Sequence, residues 1–228
     1  MEENNNIVIG IEGLVGAGKT SICKDLLNYV PNSVVLHSSD VYRAVVYKLM
    51  QEVKKDPNID IKKINIKDLI VKFKINIKIE NRESVVYFGD EKIDPNDIQS
   101  DETSMAVSKV SNVADNSEAY KVVAGIIEGL KKDYNVIFSG RDTVNIYPKL
   151  NYHFFITADI DERVKRKLSQ YEGKMDFETL KKHIEERDKL QKDSGYYKIY
   201  DNTIVVDVTN SKSIEESTKE IIKYIKEV

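Results

Sequence analysis

The 228-residue chain has no tryptophan, one cysteine and four prolines, and few of its 35 basic residues are arginines. With Cys23 alone, no intramolecular disulfide is available, which is typical of a protein from a reducing compartment. No apolar run is long enough to span a bilayer, and the first six residues are polar, so we expect a cytoplasmic protein without a membrane partner. A net charge of −3 provides no basic field for nucleic acid, so none is expected as a partner.

Length and charge are those of an ordinary globular protein. A chain of 228 residues, 32% of them charged, forms one large domain or a core with inserts, and buries a sizeable core. Because arginine binds phosphates through two parallel hydrogen bonds, each of the few arginines is a candidate for an anion site. They are Arg43, Arg82, Arg141, Arg163, Arg166 and Arg187.

The most informative segment is Gly13–Thr20, which reads GLVGAGKT. It matches G-x-x-x-x-G-K-[ST], in which backbone N–H groups and a helix N-terminus hold nucleotide phosphates. The apolar run Ile7–Ile11 predicts a buried strand before it, and apolar spacing after it predicts a helix. Lys19 then reaches the β- and γ-phosphates and the Thr20 hydroxyl binds Mg²⁺. The alternative is an ordinary glycine-rich turn between a strand and a helix.

Apolar periodicity in the rest of the chain predicts alternating strands and helices, and therefore an α/β core. Further core strands are expected at 34–36, 136–138, 152–156 and 203–208. Helices are expected at 41–53, 103–114, 117–130, 159–168, 176–193 and from 213 onward. Asp159 with Glu162, and Ser213 with Glu216, have the spacing of helix N-terminal caps.

Residues 61–100 follow a different pattern. Apolar residues from Val71 to Ile79 alternate strictly with polar ones, which predicts a half-exposed antiparallel strand. Asn81–Ser84 is expected to turn the chain and Val85–Phe88 to form the returning strand. Core parallel strands are continuous apolar runs, so this segment is either a small antiparallel insert or an extension of the sheet edge.

Two arginines lie just beyond predicted strands. Arg43 follows the second strand and Arg141 the third. Ligands of α/β sheets bind at the carboxyl ends of strands, so both are expected beside the phosphate loop as a second anion site. Arg43 is otherwise a solvent-exposed helix residue. The sequence leaves three roles open for Asp142: orienting an acceptor hydroxyl, binding a metal-bound water, or capping the next segment.

The order of these features resembles the bacterial cytidylate kinases of the nucleoside monophosphate kinase superfamily. The resemblance spans nearly the whole chain, and the antiparallel insert is its most distinctive element because sister families lack one of this form. The matching segments are Ile11–Lys19, Ser38 with Tyr42–Ala44, the insert, Ala106–Val110, Gly140–Asp142, Phe155–Ala158 with Glu162–Arg163, Ile184–Asp188 and Val206–Thr209.

The resemblance implies an α/β P-loop NTPase fold, with a five-stranded, mostly parallel sheet flanked by helices, a small antiparallel β insert and a helical lid. It implies one kinase domain over residues 1–228, with a core at 1–60, 101–160 and 195–228. The acceptor-side insert is expected at about 61–100 and the lid at about 161–194. The implied reaction is phosphorylation of a nucleoside monophosphate, CMP or dCMP, by ATP with Mg²⁺.

The resemblance also implies a role for each matching residue. The ATP phosphates are held by Gly13, Gly16, Ala17, Gly18, Lys19, Thr20 and Ser21, with Ser21 where the family commonly has threonine. The acceptor is bound by Ser38, Arg43, Ser108, Arg141, Asp142 and Arg187. Of these, Ser108 and Asp142 match positions that contact the cytosine base. The implied catalytic residues are Lys19, Arg141, Arg163 and Arg166, the last two acting from the lid, and Thr20 is the metal ligand.

Several positions depart from the family's pattern. Ser117 stands where the family has a base-reading arginine, and Gln191 and Ser194 stand where it has aspartate and arginine. His37 and Ser39 replace an aspartate and a glycine. Because a lost base contact can change specificity by orders of magnitude, two alternatives stay open. They are a kinase for a different small acceptor and an ATP-binding regulatory protein without turnover. We expect a monomer with a small nucleotide substrate.

Overall fold

The computed structural model describes residues 6–60, 65–111, 117–169 and 175–226, except for the side chains of residues 101, 108, 109 and 111. The strands within this part of the chain are β1 (Val8–Gly13), β2 (Ser33–His37), β3 (Ile75–Glu80), β4 (Glu83–Phe88), β5 (Glu91–Lys92), β6 (Asn135–Ser139), β7 (Tyr152–Thr157) and β8 (Thr203–Asp207). The helices are α1 (Lys19–Leu26), α2 (Ser38–Lys55), α3 (Ile66–Lys72), α4 (Pro95–Gln99), α5 (Asp101–Ser111), α6 (Ser117–Leu130), α7 (Thr143–Ile146), α8 (Ile160–Leu168), α9 (Phe177–Asp193) and α10 (Ile214–Ile222).

The strands form one sheet in the order β3-β4-β2-β6-β1-β7-β8, with β5 paired to β4. The five core strands, β2, β6, β1, β7 and β8, pair in parallel. The central strand β1 aligns Val8 with Val136 of β6 and Ile9 with Tyr152 of β7. All six of its residues are buried, as expected for a strand covered on both faces. The predicted α/β class and its five mostly parallel core strands are confirmed.

The core has two layers because successive strand residues point to opposite faces of the sheet. Val8 and Leu36 belong to an apolar cluster with α2, α3 and α6, whereas Ile9 and Val35 belong to a cluster with α1 and α10. Full burial of an aliphatic side chain of this size stabilises the fold by ~1.5–3 kcal/mol. Among the helices described, none combines the length and apolar character needed to cross a membrane.

The strand predicted from Val71 is wrong in its first half. Residues 66–72 form α3, and the strand begins only at Ile75. Asn65 caps the helix, since its side chain accepts hydrogen bonds from the backbone N–H groups of Lys67 and Asp68, and the buried Ile66 and Ile70 have i, i+4 spacing. Val71 is 69% exposed, so its place in the alternating pattern does not reflect a buried strand face.

The antiparallel segment extends the edge of the core sheet, which was one of the two alternatives. Its strand β4 pairs in parallel with β2, with Val35 opposite Glu83. Arg82 strengthens the junction, because its carbonyl accepts from the Val35 N–H at 2.8 Å and its Nε donates to the Ser33 carbonyl at 2.9 Å. The β3–β4 turn contains Asn81 and Arg82, both with positive φ, as a two-residue hairpin turn of type I′ requires.

Helix boundaries depart from the predictions mainly where loops were expected. Helix α2 begins at Ser38, directly after β2, and therefore includes a segment predicted as a loop. Asp159 does precede the first residue of α8 at the N-cap position, but the predicted capping contact is wrong because its side chain makes no capping hydrogen bond. Glu162 instead faces Arg166 at 3.3 Å. The cap at Ser213 is confirmed, since its hydroxyl accepts from the Glu216 N–H at 3.1 Å.

Candidate active site

The glycine loop between β1 and α1 is shaped by close contact with neighbouring backbone. Gly13 has φ of 143°, and a Cβ there would lie 2.1 Å from the Ile156 carbonyl oxygen of β7. The next residue, Leu14, donates its N–H to that carbonyl at 3.0 Å. The first glycine of the motif therefore lets the loop lie flat against the end of β7.

The loop opens into a cavity of about 490 Å³. The residues of the predicted phosphate site that line it are Gly13, Gly16, Lys19, Thr20 and Ser21. Ala17 is fully buried in the core beneath the loop, and Gly18 directly precedes α1. Thr20 and Ser21 are exposed in the first turn of that helix, where backbone N–H groups are available to an anion.

The ammonium group of Lys19 folds back onto the loop. Its Nζ donates to the carbonyls of Gly13 and Leu14, each at 2.8 Å. Burial first, and then the nearby charge of Arg141, lowers the pKa of Lys19 to about 8, while Asp188 acts in the opposite direction. This cation is therefore destabilised in the free protein, so a bound phosphate would be a better partner than the two carbonyls.

A partly buried carboxylate holds the loop in place. Asp188 of α9 accepts a hydrogen bond from the Val15 N–H at 3.0 Å and another from the Tyr197 hydroxyl at 2.9 Å. Its second oxygen pairs with Arg163 of α8 at 2.5 Å, and Arg163 also donates to the Val15 carbonyl at 2.9 Å. Sequence reasoning quoted Asp188 as part of a matching segment but gave it no role.

Neither lid arginine implied as catalytic lines the cavity. Arg163 is only 6% exposed, and its guanidinium bonds Asp188, the Val15 carbonyl and the Ala158 carbonyl. Arg166 donates to the Val208 carbonyl at 2.7 Å and faces Glu162, so it ties α8 to the loop after β8. Both guanidiniums are satisfied by protein groups in the free protein, and their closing over the phosphates stays a prediction.

Three arginines also line this cavity, namely Arg43, Arg141 and Arg187. Arg43 donates to the Ser104 hydroxyl at 2.8 Å and to the Ile98 carbonyl at 3.2 Å. Within the described part of the chain, Arg141 and Arg187 make no hydrogen bond or ion pair. Burial first, and then Arg187, lowers the pKa of Arg141, which shows that the two cations repel each other.

Close packing of two loops brings these arginines together. A Cβ on Gly140 would lie 2.1 Å from the Ser38 hydroxyl oxygen, so a larger residue there would displace that hydroxyl. Ser38 donates that hydroxyl to the Ser139 carbonyl at 2.9 Å, which joins the start of α2 to the end of β6. Ser38 was predicted to bind the acceptor, and it lines the smaller pocket described next.

A smaller pocket of about 80 Å³ adjoins the cavity and shares Ser39, Arg43 and Arg141 with it. Its other lining residues are Ser38, Val41, Tyr42, Val107, Ala119, Tyr120, Val123, Ile146 and Tyr196. Ser117, at the start of α6, does not line it. The side chain of Ser108 lies outside the described part of the chain, so its predicted base contact is not described.

Asp142 does not line either cavity. Its Oδ2 accepts from the Tyr120 hydroxyl at 3.0 Å and its Oδ1 from the Asn145 amide at 2.5 Å. It makes no capping hydrogen bond to the helix that follows, so the capping alternative is wrong. Asp142 therefore approaches the smaller pocket only through Tyr120, which sequence reasoning did not select because a tyrosine on an apolar helix face is typical of a core residue.

Two charged residues that were not selected from the sequence also line the large cavity. Asp40 is buried in the first turn of α2, and burial raises its pKa while His37 and Arg43 act in the opposite direction. Lys167, from α8, contributes a cation near the loop. In the sequence, Asp40 could have been selected only because it lies three residues after His37, the residue that stands where the family has an aspartate.

This arrangement defines a P-loop phosphotransferase site, because a lysine-bearing glycine loop and a cluster of arginines face each other across one cavity. The family model for cytidylate kinase matches residues 9–227, and the chain belongs to this family. The resemblance found in the sequence is thereby confirmed. The chain is accordingly an enzyme of the nucleoside monophosphate kinase class, a class that uses ATP.

Individual relatives agree with the family assignment. A cytidylate kinase of Clostridium botulinum is 30% identical over 227 residues, covering 97% of this chain and 98% of the relative. One of Clostridioides difficile is 27% identical over 225 residues, with 96% and 98% covered. The solved structure of TT1252 from Thermus thermophilus is 16% identical, with 96% and 95% covered and a TM-score of 0.49, a likeness too low to carry an argument.

Proposed function

We propose that this chain transfers the terminal phosphoryl group of ATP to the phosphate of CMP or dCMP, releasing ADP and the nucleoside diphosphate. The observation that carries the proposal is the single cavity that Lys19, Arg141 and Arg187 share. The loop holds the donor and the arginines hold the acceptor. Transfer between two anions needs such a cation cluster, because charge neutralisation and alignment do most of the catalytic work.

On the donor side, the loop from Gly13 to Ser21 binds the ATP phosphates. Lys19 exchanges its two carbonyl partners for phosphate oxygens. Thr20 fits a Mg²⁺ ligand, because its side chain is exposed at the cavity and makes no hydrogen bond within the described residues. When bound, Mg²⁺ would neutralise charge on the β- and γ-phosphates.

On the acceptor side, Arg43, Arg141 and Arg187 bind the nucleotide phosphate. In the complex the negative phosphate pairs with Arg141 and Arg187, and its charge offsets the repulsion between these two cations. The base enters the smaller pocket, whose lining includes Ser38 and Arg43. Ser108 and Asp142 are the family's base contacts, and Asp142 is held by Tyr120 here.

We also propose the division of the chain into a core, an acceptor-side segment at about 61–100 and a lid at about 161–194. The lid helices α8 and α9 carry the Arg163–Asp188 pair that contacts Val15, so a lid movement would be transmitted to the phosphate loop. In this role Arg163 positions the phosphate loop and Arg166 holds the loop after β8, rather than binding substrate. The enzyme is proposed to act as a cytoplasmic monomer, without nucleic acid.

The test is ADP formation from Mg-ATP with CMP, dCMP, UMP, AMP and GMP in parallel. We expect turnover with CMP or dCMP, and a loss of about 10²–10⁴-fold in Lys19→Ala. The matched control is Lys24→Ala on the same helix, whose exposed ammonium pairs with Glu83 at 2.9 Å and should leave turnover unchanged. ATP binding without turnover on any acceptor would contradict the proposal.

A second candidate is a kinase for a different small acceptor. It is favoured by Ser117, which does not line the base pocket, and by Gln191, which is buried at the cavity where the family has a charged residue. Turnover confined to an acceptor other than CMP or dCMP in the same assay would support it. A regulatory protein that binds ATP without turnover is the remaining alternative.

A further inference from the structure

Three tyrosines from separate segments line the smaller pocket, hereafter the tyrosine pocket. Tyr42 comes from α2, Tyr120 from α6 and Tyr196 from the segment after α9. The Tyr42 hydroxyl oxygen is buried and has no hydrogen-bond partner within the described part of the chain. A buried unpartnered hydroxyl is costly in a folded protein, so a ligand that bonds it would gain affinity.

The contacts of Tyr120 determine which hydrogen bond its hydroxyl donates. A carboxylate oxygen only accepts, so the 3.0 Å contact with Asp142 Oδ2 makes the Tyr120 hydroxyl the donor. The remaining lone pairs of the Tyr120 oxygen can then only accept a hydrogen bond. Burial, the neighbouring Tyr196 and the negative charge of Asp142 all raise the pKa of Tyr120, so the phenol keeps its proton at neutral pH.

Each carboxylate oxygen of Asp142 already accepts a hydrogen bond from a neighbouring side chain. Asn145 donates to its other oxygen, and Asp142 is absent from the pocket lining, whereas Tyr120 is part of it. The arginine that the family uses to read the base is replaced by Ser117, which does not line the pocket. Helix α6 instead presents Ala119, Tyr120 and Val123, so Tyr120 is the one polar side chain that this helix contributes to the pocket lining.

We propose that the phenol oxygen of Tyr120, rather than the carboxylate of Asp142, accepts the N–H of the acceptor base. This inference rests on the proposed function. Asp142 positions Tyr120 by fixing the direction of its proton, and Tyr42 donates its free hydroxyl to an adjacent ring acceptor. The pair matches a base edge with one donor beside one acceptor, which in cytosine is the exocyclic amine beside a ring nitrogen.

The experiment compares CMP with its pyrimidin-2-one analogue, which keeps the ring acceptor but lacks the exocyclic amine. We expect wild-type kcat/KM to favour CMP by about tenfold or more, as loss of one hydrogen bond to a buried acceptor predicts. Tyr120→Phe should lose that preference. Tyr42→Phe should keep the preference, bind both acceptors less tightly, and unfold at no lower temperature, because its hydroxyl has no native partner.

The matched control is Tyr134→Phe. Tyr134 is 37% exposed and lines neither cavity, so this variant should change kcat/KM for neither acceptor. Asp142→Asn is compared with Tyr120→Phe, because a loss of preference in Asp142→Asn alone does not distinguish a positioning role from a direct base contact. The amide of Asp142→Asn can donate to the Tyr120 oxygen and redirect the proton, so the preference should also fall. Should Tyr120→Phe fail to fold, Tyr42→Phe still tests the proposed pair.

Three results would overturn the inference while leaving the proposed function intact. One is a preference for CMP that survives in Tyr120→Phe but is lost in Asp142→Asn, since Asp142 would then read the base directly. Another is the absence of any preference in the wild-type enzyme. The third is a Tyr42→Phe variant that loses stability without losing acceptor affinity. No wild-type turnover on any acceptor would instead refute the proposed function, and this inference with it.

Discussion

The two sides of the cavity differ in how far their polar groups are satisfied by the protein itself. On the loop side, Lys19, Arg163 and Asp188 all have partners in the chain. On the arginine side, Arg141 and Arg187 have none within the described residues, and they repel each other. The loop side is thus held by contacts within the chain before ligand binds, at a cost for the buried Lys19 ammonium, whereas the arginine side holds two cations without a protein partner that a phosphate would neutralise, a common exchange of stability for function.

Arg141→Ala is the variant with the largest expected effect on this difference between the two sides of the cavity. We expect acceptor kcat/KM to fall by about 10²–10⁴-fold, because a positioned cation on a transferring phosphate is lost. Thermal unfolding should not move to lower temperature, because the guanidinium has no native partner. Steady-state kinetics and a thermal scan of the free enzyme measure both effects.

The control for Arg141→Ala is Arg82→Ala, at the sheet junction. Arg82 bonds the Ser33 carbonyl and hydroxyl at 2.9 Å each, so its removal should lower stability and leave kcat unchanged. An Arg141→Ala variant that destabilises the protein more than Arg82→Ala would refute the contrast between the two sides.

Asp188→Ala tests the organisation of the loop side. Removing the carboxylate leaves the buried Arg163 uncompensated, so we expect a loss of up to about 3–5 kcal/mol in the free energy of unfolding, together with a higher KM for ATP. Asp193→Ala on the same helix, which removes an exposed pair with Lys189, should change stability by less than about 0.5 kcal/mol. Denaturant unfolding separates them, and equal losses would show that Asp188 does not anchor the loop.

The smallest expected effect is a pH dependence of ATP binding. The pKa of Lys19 is about 8 in the folded protein, below its ordinary value of 10.5. Affinity should therefore fall by about tenfold between pH 7 and 9 as the ammonium is lost, and Lys19→Arg should flatten this dependence. Calorimetric titration across this range is the measurement, and a wild-type profile as flat as that of the arginine variant would contradict it.

The lowered pKa of Lys19 also determines how folding stability changes with pH. Because folding lowers the pKa of Lys19, the charged form penalises the folded state below pH 8, and the penalty disappears as the pH rises from about 8 to 10.5. Lys19→Ala should therefore be more stable than wild type at neutral pH, and the difference should shrink in alkali.

Local patterns predicted the elements that depend on near neighbours in the chain. Helix α6 spans Ser117–Leu130 as its periodicity indicated, and the strands of the core were placed to within one or two residues. The segment at Val71 was misassigned because its apolar residues fit both a two-residue and a four-residue spacing. A capping contact at Asn65 decided between them.

The sequence by itself determined the α/β class, the phosphate loop and the arginines that face it, because each depends on a short motif or on the rule that ligands gather at strand ends. Only the tertiary structure decided which side chains are already satisfied. Val15 and Asp188 are 173 residues apart, and Tyr120 and Asp142 belong to different elements. A hydrogen bond extends about 3 Å, so these pairings follow from how the helices pack and not from any local pattern.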